Sequence, residues 1–288
     1  MNRAAREAMA RQTVTILAEG GYTLPDGTHV RIAPGLDHCV EGTRLFQPEE
    51  GRSLLENVLA QPSASAPASV EIENETTLAG IARLLREGCA PVAALNFASA
   101  NNPGGGFLAG SQAQEESLAR SSGLYASLTR VWEFYERHRN GTSSLYSDAM
   151  ILSPGCPIFR SDTGQLLSSV HHATFISSAA PNAGAVSQNA PQDLSLLPEI
   201  FRRRVEYVLA LAASQGLRYI VLGAWGCGVF RNDPKLVAQT FMQLLARPDW
   251  NGRFSKVVFS ILDSSPRSDL VETFRTAAAE SGVARAHC

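Results

Sequence analysis

The 288-residue sequence has no excess of positive charge; its formal net charge is −2. Without a basic field there is nothing to hold DNA or RNA by its backbone, so strong general nucleic-acid binding is not expected. Cysteine is scarce. The five stand at positions 39, 89, 156, 227 and 288 with no CxxC among them, which argues against a disulfide framework and suits a reducing compartment. No His/Cys cluster has the spacing of a metal site, and the adjacent His171 and His172 would point to opposite faces of a strand. No apolar stretch approaches the roughly 20 residues of a membrane span. The N-terminal MNRAAREAMARQT lacks the apolar core of a signal peptide. These absences predict no membrane partner and a cytoplasmic location. The GxxxxGK[ST] phosphate loop is also missing, since no Lys follows either glycine-rich segment. There is no internal repeat.

The composition is an ordinary globular balance. Hydrophobic residues make up 44% and charged residues 18%, enough to bury a sizeable core. Residues 3–19 read as an amphipathic helix stopped by Gly20-Gly21, and 22–33 as a short hairpin turning at Asp26-Gly27. The Pro/Ser/Ala-rich stretch 61–68 reads as an exposed connection. From Val70 onward strands and helices alternate. Strands are expected at 70–72, 91–97, 149–153, 173–179, 218–223 and 255–261. Helices are expected from an Asn74 cap to Arg86, with Thr76 and Thr77 near its start, and at 112–139, 197–215, 234–246 and 266–281. Such alternation implies an α/β domain over 71–288 with helices on both faces of a sheet. Residues 1–70 fall outside it and read as an N-terminal extension packed on that core.

The apolar run 91–97 leads into NFASANNPGGGFLAGSQAQEESLARSSGLY, residues 96–125. In open α/β sheets ligands bind at strand ends of this kind. Gly104, Gly105 and Gly106 lack Cβ, so a ligand can approach closely, and successive N–H groups there can cradle a phosphate. Ser111 with Gln114 three residues on fits a capping box, which puts Glu115 and Glu116 in the first turn of the next helix. Acidic residues in a first turn also simply complement the helix dipole, and a glycine triplet is also a plain turn. Beside a phosphate cradle, however, carboxylates repel the ligand, and acid catalysis on an attached sugar gives them a reason to be there. Arg120 is either a surface cation of that helix or a partner of Glu116.

A second glycine-rich loop, GAWGCGVFR at 223–231, follows the buried strand 218–223 and precedes a helix. Gly226, Cys227, Gly228 and Val229 can wrap a diphosphate with backbone amides beside a helix N-terminus. Phe230 packs either against a ribose or adenine or into the core. Cys227 has no His nearby in sequence and reads as a small side chain, not a nucleophile. In SSAAPN, residues 177–182, small side chains leave room for a nucleotide, and Asn182 either hydrogen-bonds it or starts a helix.

The pattern GGG, seven residues, then QEE resembles the signature of poly(ADP-ribose) glycohydrolases, and the whole 96–125 segment resembles their bacterial branch. The resemblance covers roughly residues 90–265. It implies a macrodomain-like three-layer α/β/α fold with a mixed central sheet, ADP-ribose as ligand, and neither metal nor other cofactor. Carried onto this chain, it makes Glu116 the catalytic acid/base and Glu115 the residue that positions the ribose hydroxyls. Gly105 and Gly106 would approach the pyrophosphate or the attached ribose, with Gln114 supporting the loop. Asn96, Gly104, Asn182, Gly226, Cys227, Gly228, Val229 and Phe230 complete the expected binding set. The implied reaction is hydrolysis of ribose–ribose O-glycosidic bonds in poly(ADP-ribose), releasing ADP-ribose mainly from chain ends. Its partners would be the polymer or ADP-ribosylated macromolecules. Two other readings remain: a non-catalytic ADP-ribose reader, which the QEE triad disfavours, and a hydrolase removing single ADP-ribose groups from protein or nucleic acid.

Overall fold

The computed structural model describes residues 1–63 and 66–283. Helix α1 (Arg3–Glu19) starts where the Asn2 side chain accepts from the Ala5 amide at 2.9 Å, and stops at Gly20, whose φ of +69° only glycine adopts readily. Strands β1 (Gly21–Thr23) and β2 (His29–Arg31) form the expected hairpin. Helix α2 (Ala33–Glu41), strand β3 (Arg44–Phe46) and helix α3 (Pro48–Ala60) follow. In the expected connection, 61–63 and 66–67 are exposed, and residues 64 and 65 lie outside the described residues, as does Cys288.

The alternating part comprises β4 (Ser69–Glu73), α4 (Thr77–Arg86), β5 (Val92–Phe97), α5 (Gln114–Ser121), α6 (Leu124–Leu128) and α7 (Trp132–Asn140). It continues with β6 (Met150–Arg160), β7 (Leu166–Ser178), α8 (Ala183–Asn189), α9 (Leu197–Ser214), β8 (Tyr219–Leu222), α10 (Pro234–Leu245), β9 (Lys256–Ser260) and α11 (Asp269–Glu280).

Several expectations need correction. Thr76, not Asn74, caps α4, its hydroxyl accepting from the Ala79 amide; Asn74 instead binds the Asp263 backbone. The single helix expected at 112–139 is three helices. Ser122 is extended and bridges to Ile158, and this tertiary pairing interrupts the helix. Ala113, not Ser111, takes the N-cap position of α5, without a side-chain bond. Strands β6 and β7 extend well past the predicted segments as a long antiparallel hairpin, and α11 begins at Asp269.

Seven strands form one mixed sheet in the order β3-β6-β7-β5-β8-β9-β4. β7, β5, β8, β9 and β4 run parallel, β6 is antiparallel to β7, and β3 is antiparallel to β6. Of the first seventy residues, Arg44–Phe46 and Ser69 onward enter this sheet. Side chains alternate across it. Ala93 and Leu95 of β5 face one apolar layer with Phe201, Val205, Val208 and Phe241. Val92 and Ala94 face the other, with Leu78, Ile81, Leu84 and Leu118. Both faces are thus covered by helices, which is the three-layer α/β/α arrangement. Central β5 has its next strands in sequence on one side and β8 on the other, so a crevice opens at its C-terminal end.

Candidate active site

The first glycine loop leaves the end of β5. Gly104 and Gly105 have φ of +68° and +60°, the left-handed region in which other residues are strained. Gly105 has a second requirement: a Cβ there would collide with Glu116 Oε1 and lie 3.3 Å from Glu115 Oε2. Both carboxyl groups therefore converge on the Gly105 backbone. The Gly106 amide donates to Glu116 Oε1 at 3.0 Å.

Gln114 fixes α5 against the strand end. Its Oε1 accepts from the Phe97 amide at 2.8 Å, and its Nε2 donates to Leu95 O at 2.7 Å and to Thr77 Oγ1 at 3.1 Å. Glu115, 3% exposed, is held by the Ser99 amide (2.7 Å) and Asn96 Nδ2 (3.2 Å). Burial pushes its carboxyl up to about 8, and the charge of Glu116 adds to this, against the opposing hydrogen bonds. A neutral Glu115 removes much of the repulsion that two carboxylates would offer a diphosphate. Arg120 is not a surface cation: it is buried, with Nη1 donating to Ser111 O at 2.7 Å and Nη2 to the Gln112 side chain. No salt bridge joins it to Glu116 among the described residues.

The second loop follows β8. Trp225 is buried and anchors it, Nε1 donating to Ser178 O at 3.2 Å. Asn232 Nδ2 ties Pro181 O (2.8 Å) to Gly226 O (3.2 Å). Gly226 has φ +75°, and a Cβ on it would meet Asn232 Nδ2 and the Ala180 methyl. Beyond it the loop is open. Among the described residues, the amides of Gly228, Val229 and Phe230 make no hydrogen bond within the chain, and Val229 is 81% exposed. Such a run of free amides is an anion-binding concavity. Phe230 lines the space and rests on Tyr146 with ring centroids 5.9 Å apart.

Between the loops lies a cleft of about 330 Å³. It brings together Gly105, Gly106, Gln114, Glu115 and Glu116 from one side and Gly226, Gly228, Val229 and Phe230 from the other. Four expected residues are not on its wall. Asn96 is fully buried behind Glu115, bonded to Ser177 Oγ at 2.9 Å. Gly104 packs on Phe107 and Ala119. Asn182 caps α8, accepting from the Ala185 amide at 3.0 Å. Cys227 faces an adjoining hollow, its thiol pushed up to about 12 by burial, which makes it a poor nucleophile. Sequence reasoning missed Ser99, Asn102 and Trp225, which have no motif of their own; only their place beside the glycines pointed to them.

The adjoining hollow, about 640 Å³, shares Phe97, Ala113, Gln114, Ala224 and Gly228 with the cleft. Arg6 and Met9 of α1, Asp162 of the β6–β7 turn and Thr76 also wall it. Asp162 accepts from the Thr76 hydroxyl at 2.6 Å, and burial raises its carboxyl above the usual range. Among the described residues no group of three or more His, Cys, Asp or Glu could hold a metal ion, and no helix is long and apolar enough to cross a membrane.

The sequence profile of the family described as microbial-type PARG, catalytic domain, matches residues 10–161. None of the curated proteins searched matches significantly. Among solved structures, the chain is similar to poly(ADP-ribose) glycohydrolase from Thermomonospora curvata at 47% identity and TM-score 0.91, covering 96% of this chain and 100% of that one. The structure of that enzyme bound to the inhibitor ADP-HPD gives 45% identity and TM-score 0.88, with 95% and 99% covered. Poly(ADP-ribose) glycohydrolase from Deinococcus radiodurans in complex with ADP-ribose gives 47% identity and TM-score 0.81, with 87% and 99% covered. With this identity along nearly the whole length, and with the glycine loops and paired glutamates in place, the chain belongs to the microbial-type poly(ADP-ribose) glycohydrolase family.

Proposed function

We propose that the chain hydrolyses the ribose–ribose O-glycosidic bond of poly(ADP-ribose) and releases ADP-ribose. The observation that carries this reading is the convergence of Glu115 and Glu116 on the Gly105 backbone, across a cleft from three open amides. The amides of Gly228, Val229 and Phe230 receive the diphosphate. Gly105 and Gly106 let the distal ribose lie against the carboxyl pair. The related structures that hold ADP-ribose or ADP-HPD support this choice of ligand. The adjoining hollow takes the adenosine end.

Glu116 protonates the departing ribose oxygen as the anomeric C–O bond breaks through an oxocarbenium-like state. It then takes a proton from the water that attacks the anomeric carbon, so its own protonation is restored and the new hydroxyl stays on ADP-ribose. Glu115, neutral near pH 7, holds the ribose hydroxyls in place without adding charge beside the phosphates. Asn96 acts on Glu115, not on the ligand.

The finer reading is cleavage from chain ends. Arg6 and Met9 of α1 wall the adenosine end, which supports a site that accepts a terminal unit more readily than an internal one. Residues 1–70 act in this reading as an extension that closes the site of the 71–288 core. The four described free cysteines support a reducing, cytoplasmic setting.

Glu116→Gln is the direct test. Polymer turnover should fall by several powers of ten, while calorimetry still records ADP-ribose binding. Near wild-type release of ADP-ribose from polymer by that variant would refute the assignment.

A further inference from the structure

We infer that Trp132, with Arg139 over its ring, forms a second subsite that receives the ADP-ribose unit on the leaving side of the scissile bond. This rests on the proposed polymer hydrolysis and extends it to the half of the substrate that departs.

Trp132 opens α7 and is 46% exposed, whereas Trp225 and Trp250 are 0% and 2% exposed. Its inner edge rests on Tyr135, with centroids 6.1 Å apart and planes at 68°. The Arg139 guanidinium lies 5.4 Å from its ring centroid. The same guanidinium reaches the first loop: Nε donates to Asn101 O at 2.7 Å and Nη2 to Asn102 Oδ1 at 2.9 Å.

That contact ties the platform to the reacting end of the cleft. Asn102 lines the cleft wall, and its carbonyl accepts from the Gly105 amide at 3.0 Å. The Asn101 and Asn102 amides both donate to Ser99 Oγ at 3.2 Å. Ser99 in turn holds Glu115 through its amide, and Gly105 underlies Glu116. Arg139 thus touches the same loop segment that brings Asn102 to the cleft wall and holds Glu115 through Ser99.

The chemistry of the leaving group matches. The oxygen that departs belongs to an adenosine, which carries a flat aromatic base on one side and a diphosphate on the other. An exposed indole stacks a base without needing to read it, and an arginine beside it suits a phosphate. Arg139 stands in the last turn of α7, whereas Arg137 Nη2 donates to Gln47 Oε1 and the Glu133 carboxylate accepts from Gln47 Nε2 at 2.8 Å. The diphosphate-binding amides of the second loop, by contrast, lie across the cleft and serve the retained unit.

The experiment compares two substrates in steady-state kinetics: poly(ADP-ribose), and a glycoside of the same ADP-ribose carrying a small fluoroalkyl leaving group. Trp132→Ala should raise KM for polymer about tenfold with kcat held, in keeping with the loss of one stacked base. It should leave kcat/KM on the small glycoside unchanged, and Trp132→Phe should restore most of the polymer KM. An equal loss on both substrates would mean that Trp132 only supports the fold of the cleft, and an unmoved polymer KM would mean that nothing stacks there; either result overturns the subsite. Failure of the underlying reading shows differently, because wild-type protein would then release no ADP-ribose from polymer, whatever it does to the small glycoside.

Discussion

Glu115 and Glu116 are adjacent on α5, yet only Glu115 is largely buried, held by the Asn96 side chain and the Ser99 amide. An unfolded glutamate titrates near its ordinary 4.5, and folding raises Glu115 to about 8. Between those values the folded chain holds a proton that the unfolded chain has lost. This contribution to stability is therefore complete below about 4.5 and is lost as pH rises towards 8. Glu115→Gln removes the titration, so the variant should gain Tm relative to wild type as pH goes from 5 to 8.5. Differential scanning calorimetry across that range checks it, and parallel Tm profiles would contradict the raised carboxyl. The spacing of GGG and QEE made both glutamates legible from sequence. It did not reveal which of them is buried, because Asn96, which reads as a ligand-binding residue, lies fully buried against Glu115. Asn182 was equally ambiguous: its side chain accepts from one α8 amide, that of Ala185, a use open to any Asn before a helix.

At the scale of elements, α1 braces the first loop. Arg3 Nε donates to Ala109 O at 2.9 Å and Arg6 Nε to Gly110 O at 2.7 Å. Thr13 Oγ1, fully buried, donates to Arg120 O at 2.5 Å and accepts from Arg160 Nη2 at 3.3 Å. Among the described residues Arg160 has no carboxylate partner and spreads its charge over Arg120 O, Gln12 and Gly164 O; burial pushes it down to about 10. Thr13→Val keeps the shape and removes the hydroxyl, which should cost about 1–3 kcal/mol by leaving buried groups unpaired. Thermal unfolding should show Tm lower by several degrees, with a fewfold higher KM because Arg120 also holds Ser111 at the entry to α5. An unchanged Tm would show that α1 does not brace the loop. The end of α1 was legible because Gly20 is a local signal. The break at Ser122 was not, since its cause is a pairing with Ile158, far along the chain.

For the whole molecule, strand order lay beyond the sequence for the same reason: it is set by pairings between distant segments. Alternation predicted the covered sheet, but nothing local announced that Arg44–Phe46 would become its edge beside β6. The outcome is a sheet whose centre, β5 and β8, carries both glycine loops side by side. Those loops are not equivalent jaws. The first is clamped from α1, β5, α5 and α7, whereas the tip of the second presents three amides with no partner among the described residues. In deuterium exchange the unequal jaws should behave as anvil and hammer. Gly228–Phe230 should exchange almost as freely as a loose peptide until ADP-ribose arrives and then slow markedly, while Gly105 and Gly106 stay protected throughout. Equal protection of both segments in the ligand-free protein would contradict this asymmetry.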